Sequence, residues 1–542
     1  MNQPARNRVA ALSLVSSLAL ALPACMGAPA PTGSGTTTEE DPAATFASAY
    51  VVHPSAPMSC NANGQRFHCK GHIRSDVRPE LSPDAVTAGF GPADLAAAYG
   101  LDVTLKPNAT IAIVDAFGYA NAESDLTMYR SKYNLPACTI ANGCLTIVNQ
   151  AGKTTPLPGA PPANDDWTVE TALDLDMASA ACPTCKLLLV QADNDASDGL
   201  MIAQATAAGL GAAVISDSWG GPESAQQTGA GQEHFMNVGK PVAIFVAAGD
   251  DGYDDGGSGP DYPSVSAFVT AVGGTSLVKS ASGGTRGWVE SAWSTSTKAK
   301  GAGGSSCSIS IPKPAYQTSL STQCNFRAAA DVAAVGDPAT GVAVYNVNAG
   351  GFIVVGGTSA ASPFVAGVYA LYGKGGVANS YPYSNTGAFF DVLTGTNGTC
   401  GNILCNAAKG WDGPTGVGTP NGAMFGASAA TSPDMAMAPT VDMAQSPDLA
   451  MTPAKSGGGD GTSSGGAAGS SGSGSGNGDT TGSGSTGGST ASSASGGIGC
   501  SLGDLGGAAP GGGWMLALAV VMFAASRRRR QSEAAVSVRR DR

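Results

Sequence analysis

Hydrophobic and polar positions alternate along the middle of the chain in the manner of an α/β domain. Between about residue 104 and residue 426, short apolar runs alternate with longer stretches of helical periodicity. The predicted strands are Thr110–Asp115, Lys186–Gln191, Ala212–Ser216 and Val242–Ala247, and the predicted helices are Asn121–Tyr133, Trp167–Ala181, Ala196–Ala208 and Glu223–Val238. This alternation predicts a mostly parallel central sheet with helices on both faces.

The N-terminal end of the chain has a different pattern. An apolar run at residues 9–22 follows two arginines, and it predicts an export signal over residues 1–25. The sequence LPAC at residues 22–25 resembles a lipobox with Cys25 as the lipidated residue, and ordinary signal-peptide cleavage is the alternative. Residues 26–85 are interpreted as a leader or short pro-segment that precedes a domain over residues 86–426.

The C-terminal end contains two further segments. Residues 427–498 are a spacer whose Gly, Ser, Thr and Ala content cannot bury a core. Residues 499–542 contain a cysteine, an apolar run and an arginine cluster, a layout that resembles the MYXO-CTERM type of sorting tail. That resemblance implies processing near Cys500 and retention at the cell surface by a sorting machinery. The alternative is a plain tail anchor with its arginines held inside.

Charge and cysteine content narrow the possible environments. The chain has 40 acidic and 28 basic residues, which argues against nucleic-acid binding. Of its 12 cysteines, ten remain after Cys25 and Cys500 are set aside, and their spacing suits disulfides in an oxidising compartment. Taken in order, the local pairs are Cys60–Cys69, Cys138–Cys144, Cys182–Cys185, Cys307–Cys324 and Cys400–Cys405. The alternative for the C-x-x-C sequence at 182–185 is a redox or zinc site.

Ser359 stands where an apolar helix is predicted to begin. It lies in the small-residue stretch VGGTSAASP at residues 355–363, and the apolar segment Phe364–Leu371 follows. Backbone N–H groups at a helix start favour developing negative charge, so this is a suitable setting for a nucleophilic serine. The alternative is an ordinary turn of small residues.

A histidine partner for this serine is not evident in the sequence. None of the four histidines lies in the H-G-T-H context of a subtilisin-like enzyme; they are His53, His68, His72 and His234. If Ser359 is catalytic, a carboxylate must therefore accept its proton.

Glu170 and Asp174 are the candidate carboxylates for that proton. They are four residues apart in the predicted helix Trp167–Ala181, so they share one face of it. No lysine or arginine occurs in this helix to neutralise them. Two adjacent carboxylates cannot both ionise easily, so one pKa rises and a proton is shared. The alternative for Glu170 and Asp174 is that they form a solvated acidic face of the helix. Asp176, two residues after Asp174, points elsewhere on the helix.

These motifs, in this order, resemble those of the sedolisins, which are serine-carboxyl peptidases with a subtilisin-like fold. The resemblance covers roughly residues 90–426 and implies a three-layer αβα domain. It implies that Ser359 attacks the peptide carbonyl, that Glu170 is the general base and acid, and that Asp174 orients and tunes Glu170. Asp115 occupies a place like the triad aspartate of subtilisins and, without a matching histidine, is interpreted as structural.

A further catalytic candidate follows the last of the predicted strands. The sequence FVAAGDDG at residues 245–252 resembles the sedolisin S-G-D-x-G motif, with Ala248 in place of serine. The resemblance implies that Asp250 serves the oxyanion hole, and it would have to be protonated to donate a hydrogen bond. The alternative is a turn aspartate, because Asp-Asp-Gly is turn-like by itself.

The resemblance also implies one structural Ca²⁺ ion near the end of the domain. Asp391 and Asp412 would supply carboxylates, and Val392, Ala408 and Gly410 would supply backbone carbonyls. Such a mixture of oxygen ligands suits Ca²⁺. The alternative is a pair of loop aspartates in turn-rich sequence.

The function implied by the resemblance is a secreted or surface-attached, monomeric endopeptidase that hydrolyses protein or peptide substrates at acidic pH. Alternatives are a tripeptidyl-peptidase of the same family, a subtilisin-like enzyme that works at neutral pH, and a catalytically inactive surface binding protein. Sedolisins usually carry a large N-terminal prodomain, whereas only about sixty residues separate the signal from the domain in this chain. Either the inhibitory segment is reduced to residues 51–85, or maturation differs.

Overall fold

The computed structural model describes residues 50–426 except 61–66, 83–87, 225–235, 237, 281–285, 295–300 and 378, together with residues 43, 46 and 47. The chain divides into two compact units, Met1–Thr440 and Val441–Arg542, and the described residues all belong to the first. The predicted signal, spacer and sorting tail lie outside the described residues, as does His234.

The helices and strands of the described residues are numbered in chain order. The strands are β1 (Ser55–Pro57), β2 (His68–Cys69), β3 (His72–Arg74), β4 (Thr110–Ala116), β5 (Leu145–Asn149), β6 (Lys186–Ala192), β7 (Val214–Asp217), β8 (Trp219–Pro222), β9 (Ala243–Ala247), β10 (Asp251–Tyr253), β11 (Asp261–Tyr262), β12 (Thr270–Lys279), β13 (Trp288–Ala292), β14 (Ala302–Pro312), β15 (Phe326–Ala329), β16 (Val332–Val335), β17 (Val342–Asn346), β18 (Gly351–Gly356), β19 (Phe389–Phe390) and β20 (Thr419–Pro420). The α-helices are α1 (Pro92–Tyr99), α2 (Ala122–Lys132), α3 (Trp167–Ala181), α4 (Ser197–Gly209), α5 (Thr358–Leu371), α6 (Tyr381–Ser384) and α7 (Gly422–Phe425).

The central sheet has the strand order β13-β12-β9-β7-β4-β6-β5, and β16 also pairs with β12. Every pairing in it is parallel except that of β12 with β13. Strands β4, β6 and β9 are buried along nearly their whole length and do not alternate, as expected for parallel strands with both faces covered. The prediction of an α/β domain with a mostly parallel central sheet is confirmed.

Two helices bring the candidate catalytic residues together. All 15 residues of α3 are buried, and so are all 14 residues of α5, which packs against it. An apolar helix can be enclosed on every side in this way because it exposes few polar groups. Helix α3 has the bounds predicted from the sequence, whereas the predicted helix Glu223–Val238 lies mostly outside the described residues.

Three smaller sheets connect the N-terminal segment to the rest of the domain. One has the order β1-β3-β18-β17, another β11-β8-β2, and the third β10-β14-β15. The segment from β1 to β3 therefore pairs both with β18, which leads into α5, and with β8. Part of the predicted pro-segment is thus an ordered part of this domain.

The five disulfides predicted from the cysteine order are all present, and Cys182 is joined to Cys185 rather than left free for a metal. Within the described residues, no helix is long and apolar enough to cross a membrane.

Candidate active site

Ser359 lies in the first turn of α5 and is completely buried. The residue before the helix, Gly357, has φ of 106°, and a Cβ there would come within 2.3 Å of the carbonyl oxygen of Lys70. Only glycine tolerates both the positive φ and the close carbonyl oxygen. The small residues of the motif therefore allow the segment of the chain around Lys70 to approach the serine closely. The Ser359 hydroxyl donates to the carbonyl oxygen of Ser218 at 3.2 Å and accepts from the Lys70 N–H at 3.0 Å.

Glu170 and Asp174 are both fully buried on the face of α3 near this serine. The Ser218 hydroxyl donates to Asp174 Oδ1 at 2.9 Å. The Ser359 hydroxyl lies near enough to lower the pKa of Glu170, yet both Glu170 carboxylate oxygens are without a hydrogen-bond partner while that hydroxyl is turned to Ser218. Asp176 faces elsewhere and accepts from the N–H of Tyr345 at 3.0 Å.

The structure adds Asp115 to this carboxylate pair. Burial raises the pKa of Glu170 and of Asp174 well above their ordinary values, and the charge of Asp115 raises both further. Burial raises the pKa of Asp115 itself to about 7, and that of Asp217 also rises through burial and the charge of Asp115. Asp115 was interpreted from the sequence as structural, but it interacts electrostatically with the whole cluster.

Parallel topology explains how these acids meet. Asp115 and Asp217 stand at the carboxyl ends of β4 and β7, which are neighbours in the sheet, and Asp250 follows the next strand, β9. Carboxyl ends of parallel strands lie at one edge of a sheet, where sites in α/β proteins commonly form. The sequence places Asp115 and Asp217 at or near the ends of predicted strands. It does not indicate that these two acids would be buried together.

Asp250 lies against the first residue of α5. Its Oδ1 accepts from the N–H of Thr358 at 2.7 Å and from the Thr358 hydroxyl at 2.8 Å. Its Oδ2 is buried without a hydrogen-bond partner, and burial raises the pKa of Asp250 to about 7. The His72 ring lies 3.8 Å from that free oxygen and packs edge-on against Trp293. A neutral Asp250 would carry a proton that is available for donation at this point.

The chain itself runs through the site from Phe67 to His72. Strand β2 pairs antiparallel with β8, and the N–H of Lys70 donates to the Ser218 carbonyl oxygen at 3.2 Å. The carbonyl oxygen of Lys70 accepts from the N–H of Ser359 at 2.8 Å. Nothing in the sequence predicted that these residues would lie on the serine, because long-range pairing of a two-residue strand leaves no local pattern.

The residues predicted to bind calcium also lie close to one another. Asp391 Oδ2 accepts from the N–H of Gly410 at 2.9 Å, and Asp412 Oδ2 accepts from that of Ala408 at 2.9 Å. Burial raises the pKa of Asp412 to about 7, and the charge of Asp391 adds to the rise. Val392, which follows Asp391, is buried. The described residues contain no group of three or more His, Cys, Asp or Glu side chains that could hold a metal.

This donor set fits a calcium ion in its chemistry. It offers two carboxylates close enough to repel each other, with backbone carbonyls in the same loops. Oδ2 of Asp391 and Oδ2 of Asp412 each accept one N–H bond and keep a lone pair, whereas Oδ1 of Asp412 accepts from both the N–H and the hydroxyl of Thr415. Among the described residues, neither Asp391 nor Asp412 forms an ion pair with a basic side chain. A cation would relieve that repulsion.

The chain is similar in sequence to several known proteins. A family model described as the subtilase family, Peptidase_S8, matches residues 162–384. Kumamolisin from Bacillus sp. (strain MN-32) is 30% identical over 366 residues, which cover 63% of this chain and 64% of kumamolisin. Sedolisin from Pseudomonas sp. (strain 101) is 29% identical over 348 residues, which cover 58% of this chain and 56% of sedolisin. The matched region thus spans less than two thirds of either relative.

A solved structure is also similar. It is a Pseudomonas sedolisin, described as a serine-carboxyl proteinase complexed with two molecules of pseudo-iodotyrostatin, with a TM-score of 0.54 and 25% identity. The similarity covers 63% of this chain and 98% of that one. The subtilisin-like fold predicted from the sequence is confirmed.

Proposed function

We propose that this chain is a serine-carboxyl endopeptidase of the sedolisin family. The family match, the two relatives and the solved sedolisin structure support this proposal. The observation that carries the proposal is the position of Lys70: its carbonyl oxygen accepts the N–H of Ser359 at 2.8 Å. A peptide carbonyl is thereby held against the serine at a helix start, beside a buried carboxylate pair. This is the arrangement that acyl transfer requires.

In the proposed reaction, the Ser359 oxygen attacks the carbonyl carbon of a bound peptide and its proton passes to Glu170. Asp174, held by the Ser218 hydroxyl, orients and tunes Glu170. The oxyanion receives hydrogen bonds from the N–H of Ser359 and from protonated Asp250. Glu170 then returns its proton to the leaving amine, and water cleaves the acyl-enzyme by the same steps in reverse.

Raised carboxyl pKa values suit work at acidic pH. Asp250 can donate a hydrogen bond only while it is protonated, and its pKa of about 7 makes that the neutral form at lower pH. We infer that activity declines as the pH rises through about 7, because the oxyanion donor is then lost. A subtilisin-like enzyme would instead need a neutral histidine and would keep its activity at alkaline pH.

The environment and the metal belong to the same proposal. Five disulfides favour an oxidising compartment, which agrees with export of the chain. Surface attachment through Cys25 or the predicted sorting tail, and a monomeric state, remain predictions. One Ca²⁺ ion held by Asp391, Asp412 and the carbonyls of Val392, Ala408 and Gly410 would neutralise the two carboxylates and stabilise the loops that carry them.

The test is the pH dependence of cleavage by the purified full chain, with Ser359→Ala as the control. The substrates are a denatured protein and a matched pair of peptides with free and acetylated N-termini. We expect cleavage confined to acidic pH, equal on both peptides and absent in the control. Cleavage of only the free peptide, three residues from its N-terminus, would support the tripeptidyl-peptidase alternative, and an alkaline optimum would contradict the carboxylate mechanism.

A further inference from the structure

Asn397 is a buried amide that bonds to two strands beside the candidate active site, and it is only 3% exposed. Its Nδ2 donates to the carbonyl oxygen of Gly303 at 2.6 Å and to the hydroxyl oxygen of Ser305 at 2.8 Å, both in β14. Its carbonyl oxygen accepts from the N–H of Tyr253, in β10, at 3.1 Å. One residue outside the two strands therefore holds both of them.

These two strands carry the backbone of Asp250. Strand β10 begins directly after it, at Asp251, and pairs in parallel with β14. The N–H of Ala302 donates to the carbonyl oxygen of Asp250 at 2.8 Å. The N–H of Gly304 donates to the carbonyl oxygen of Gly249 at 2.7 Å. The turn from which the Asp250 side chain projects is thus bonded to β14.

The backbone segments around this turn are packed without spare room. A Cβ at Gly304 would come within 2.1 Å of the carbonyl oxygen of Ala248, and a Cβ at Gly252 within 2.3 Å of the carbonyl oxygen of Asn397. Close-packed interiors transmit a displacement rather than absorb it. A movement of Asn397 should therefore move the strands that hold Asp250.

The loop that contains Asn397, residues 397–405, is itself fixed. The Asn397 N–H donates to the carbonyl oxygen of Cys405 at 3.0 Å, and a disulfide joins Cys405 to Cys400. The Ser305 hydroxyl donates to the carbonyl oxygen of Leu404 at 2.7 Å. The loop therefore offers β14 a firm support.

A buried amide needs hydrogen-bond partners wherever it lies, so these contacts could serve only the stability of the fold. The position of Asp250 argues for more. Its Oδ1 is held by Thr358, whereas its Oδ2 has no hydrogen-bond partner among the described residues. Because that free oxygen is the one available to an oxyanion, its place depends on the backbone that Asn397 supports.

We propose that Asn397 is a positioning residue of the reaction: by holding β10 and β14 together, it fixes Asp250 where the oxyanion forms. This inference rests on the proposed function. Asn397 acts through the backbone and not on the substrate. Loss of its side-chain bonds should therefore lower kcat and leave KM nearly unchanged, because the oxyanion exists only in the transition state.

The surroundings of Asp250 add a signature in the pH profile. Burial raises the pKa of Asp250, while the charge of Lys70 lowers it and that of Asp251 raises it. His72 and Glu170 also lie within electrostatic reach of it. An alteration in the loop leaves these four groups unchanged. Looser strands would admit water, so the pKa of Asp250 should fall toward its ordinary value and its proton should be lost at lower pH.

The first experiment measures kcat and KM of the full chain against pH on one peptide, for Asn397→Leu and for the control Asn379→Leu. Asn379 also donates to backbone carbonyls, those of Ala267 and Val269, which lie outside β10 and β14. We expect Asn397→Leu to lower kcat about tenfold, to keep KM within about twofold and to move the alkaline decline of activity down by about one pH unit. The control should change none of these.

A second variant, Asn397→Asp, keeps the shape of the side chain and is used if the leucine variant does not fold. Its carboxyl can donate only while it is protonated. We expect its kcat to approach that of the unaltered chain as the pH falls to about 4 and to fall behind it as the pH rises. A folded Asn397→Leu with unaltered kcat and pH profile, or an equal shift in Asn379→Leu, would overturn the inference and leave the peptidase function intact.

A further measurement does not depend on catalysis. In the Ser359→Ala background, hydrogen exchange is measured for the peptide that spans residues 302–305, whose amides bond to the turn at Asp250. We expect Asn397→Leu to speed that exchange about tenfold and Asn379→Leu to leave it unchanged. Unchanged exchange in Asn397→Leu would overturn the inference. If the unaltered chain cleaves no peptide at any pH, the proposed function fails and the inference fails with it.

Discussion

Two buried acidic regions of this domain are built in opposite ways. In one, Asp331 is paired with Arg327 at 2.6 Å, and both side chains are fully buried. Asp331 also accepts from the N–H of Ala271 at 2.7 Å and from the Tyr383 hydroxyl at 2.5 Å. Burial alone would lower the pKa of Arg327, yet the charge of Asp331 raises it. In this region a cation lies directly beside the buried acid.

The other region contains Glu170, Asp174 and Asp115, which form no ion pair with a basic side chain of the described residues. Both oxygens of Glu170 and of Asp115 lack hydrogen-bond partners. Burial and mutual repulsion raise their pKa values, so protons rather than cations neutralise them. A buried acid that is paired with a cation stabilises the fold. Unpaired buried acids with raised pKa values can instead take up and give up protons during a reaction.

The largest expected effect is on activity in the unpaired region. Glu170→Gln and Ser359→Ala should each lower kcat/KM by roughly 10³-fold or more, because each removes a group that moves the proton or forms the bond. Glu170→Gln should not lower the free energy of unfolding, since Gln replaces a buried acid whose oxygens have no hydrogen-bond partner. Peptide cleavage and urea unfolding are measured on the same preparations. Substantial activity in Glu170→Gln would mean that another group is the base.

The paired region should respond in the opposite way. Arg327→Met should leave Asp331 buried without its cation and lower the free energy of unfolding by about 3–5 kcal/mol. Equilibrium unfolding in urea measures this loss, and the double variant Arg327→Met with Asp331→Leu should recover much of it. If Arg327→Met unfolds at the same urea concentration as the unaltered chain, buried Asp331 does not need the Arg327 cation for the stability of the fold.

The contrast between the two regions also explains what the sequence could predict. The i, i+4 spacing of Glu170 and Asp174 and the absence of nearby basic residues along their helix were enough to predict a shared face and a raised pKa. The bounds of helix α3 agree with the prediction although the helix is buried on every side and carries three acids, Glu170, Asp174 and Asp176. The position of Asp115 was visible at a strand end, but its burial beside the pair depends on sheet order, which local patterns do not encode.

The insertion of Lys70 between Ser359 and Asp261 could not be predicted at all. It depends on a two-residue strand that pairs with β8 across about 150 positions of sequence. Local propensity says nothing about such contacts, since their stability comes from burial in the finished fold. The sequence did predict the Cys60–Cys69 disulfide, which lies just before this lysine.

The free energy of unfolding should depend on pH through Asp115 of the unpaired region. The folded pKa of Asp115, about 7, lies above the ordinary value of 3.8, so the native state binds more protons between these values. The stability from this group is therefore fully present below about pH 4 and is lost as the pH rises to about 7. The loss is about 1.4 kcal/mol for each pH unit in that window.

Asp115→Asn should flatten this decline, because the amide stays neutral at every pH. Thermal unfolding of the Ser359→Ala chain between pH 4 and pH 8 measures it without self-digestion. Asp193→Asn, at an exposed aspartate, is the control and should keep the full pH dependence. A decline of equal slope in Asp115→Asn would show that this carboxyl does not hold the proton.

The smallest expected effect concerns a third acidic region, formed by Asp391 and Asp412. It tests whether a cation neutralises these carboxylates, as in the paired region, or protons do, as in the unpaired region. If calcium supplies its cation, chelation should lower the stability of the Ser359→Ala chain. At free calcium about 100 times the dissociation constant, the binding contributes about 2.7 kcal/mol. Thermal unfolding with and without added Ca²⁺, after treatment with a chelator, measures this difference.

Asp412→Asn should abolish the response to Ca²⁺, because the buried carboxylate is the stronger of the two proposed ligands, whereas Asp193→Asn should retain it. Magnesium should not replace calcium, since it prefers six ligands in a strict octahedron and gives up its water reluctantly. If the melting temperature is the same with chelator and with Ca²⁺, Asp412 keeps its proton instead. With a pKa of about 7, it would then behave like the carboxyls around Glu170 rather than like Asp331 beside its arginine.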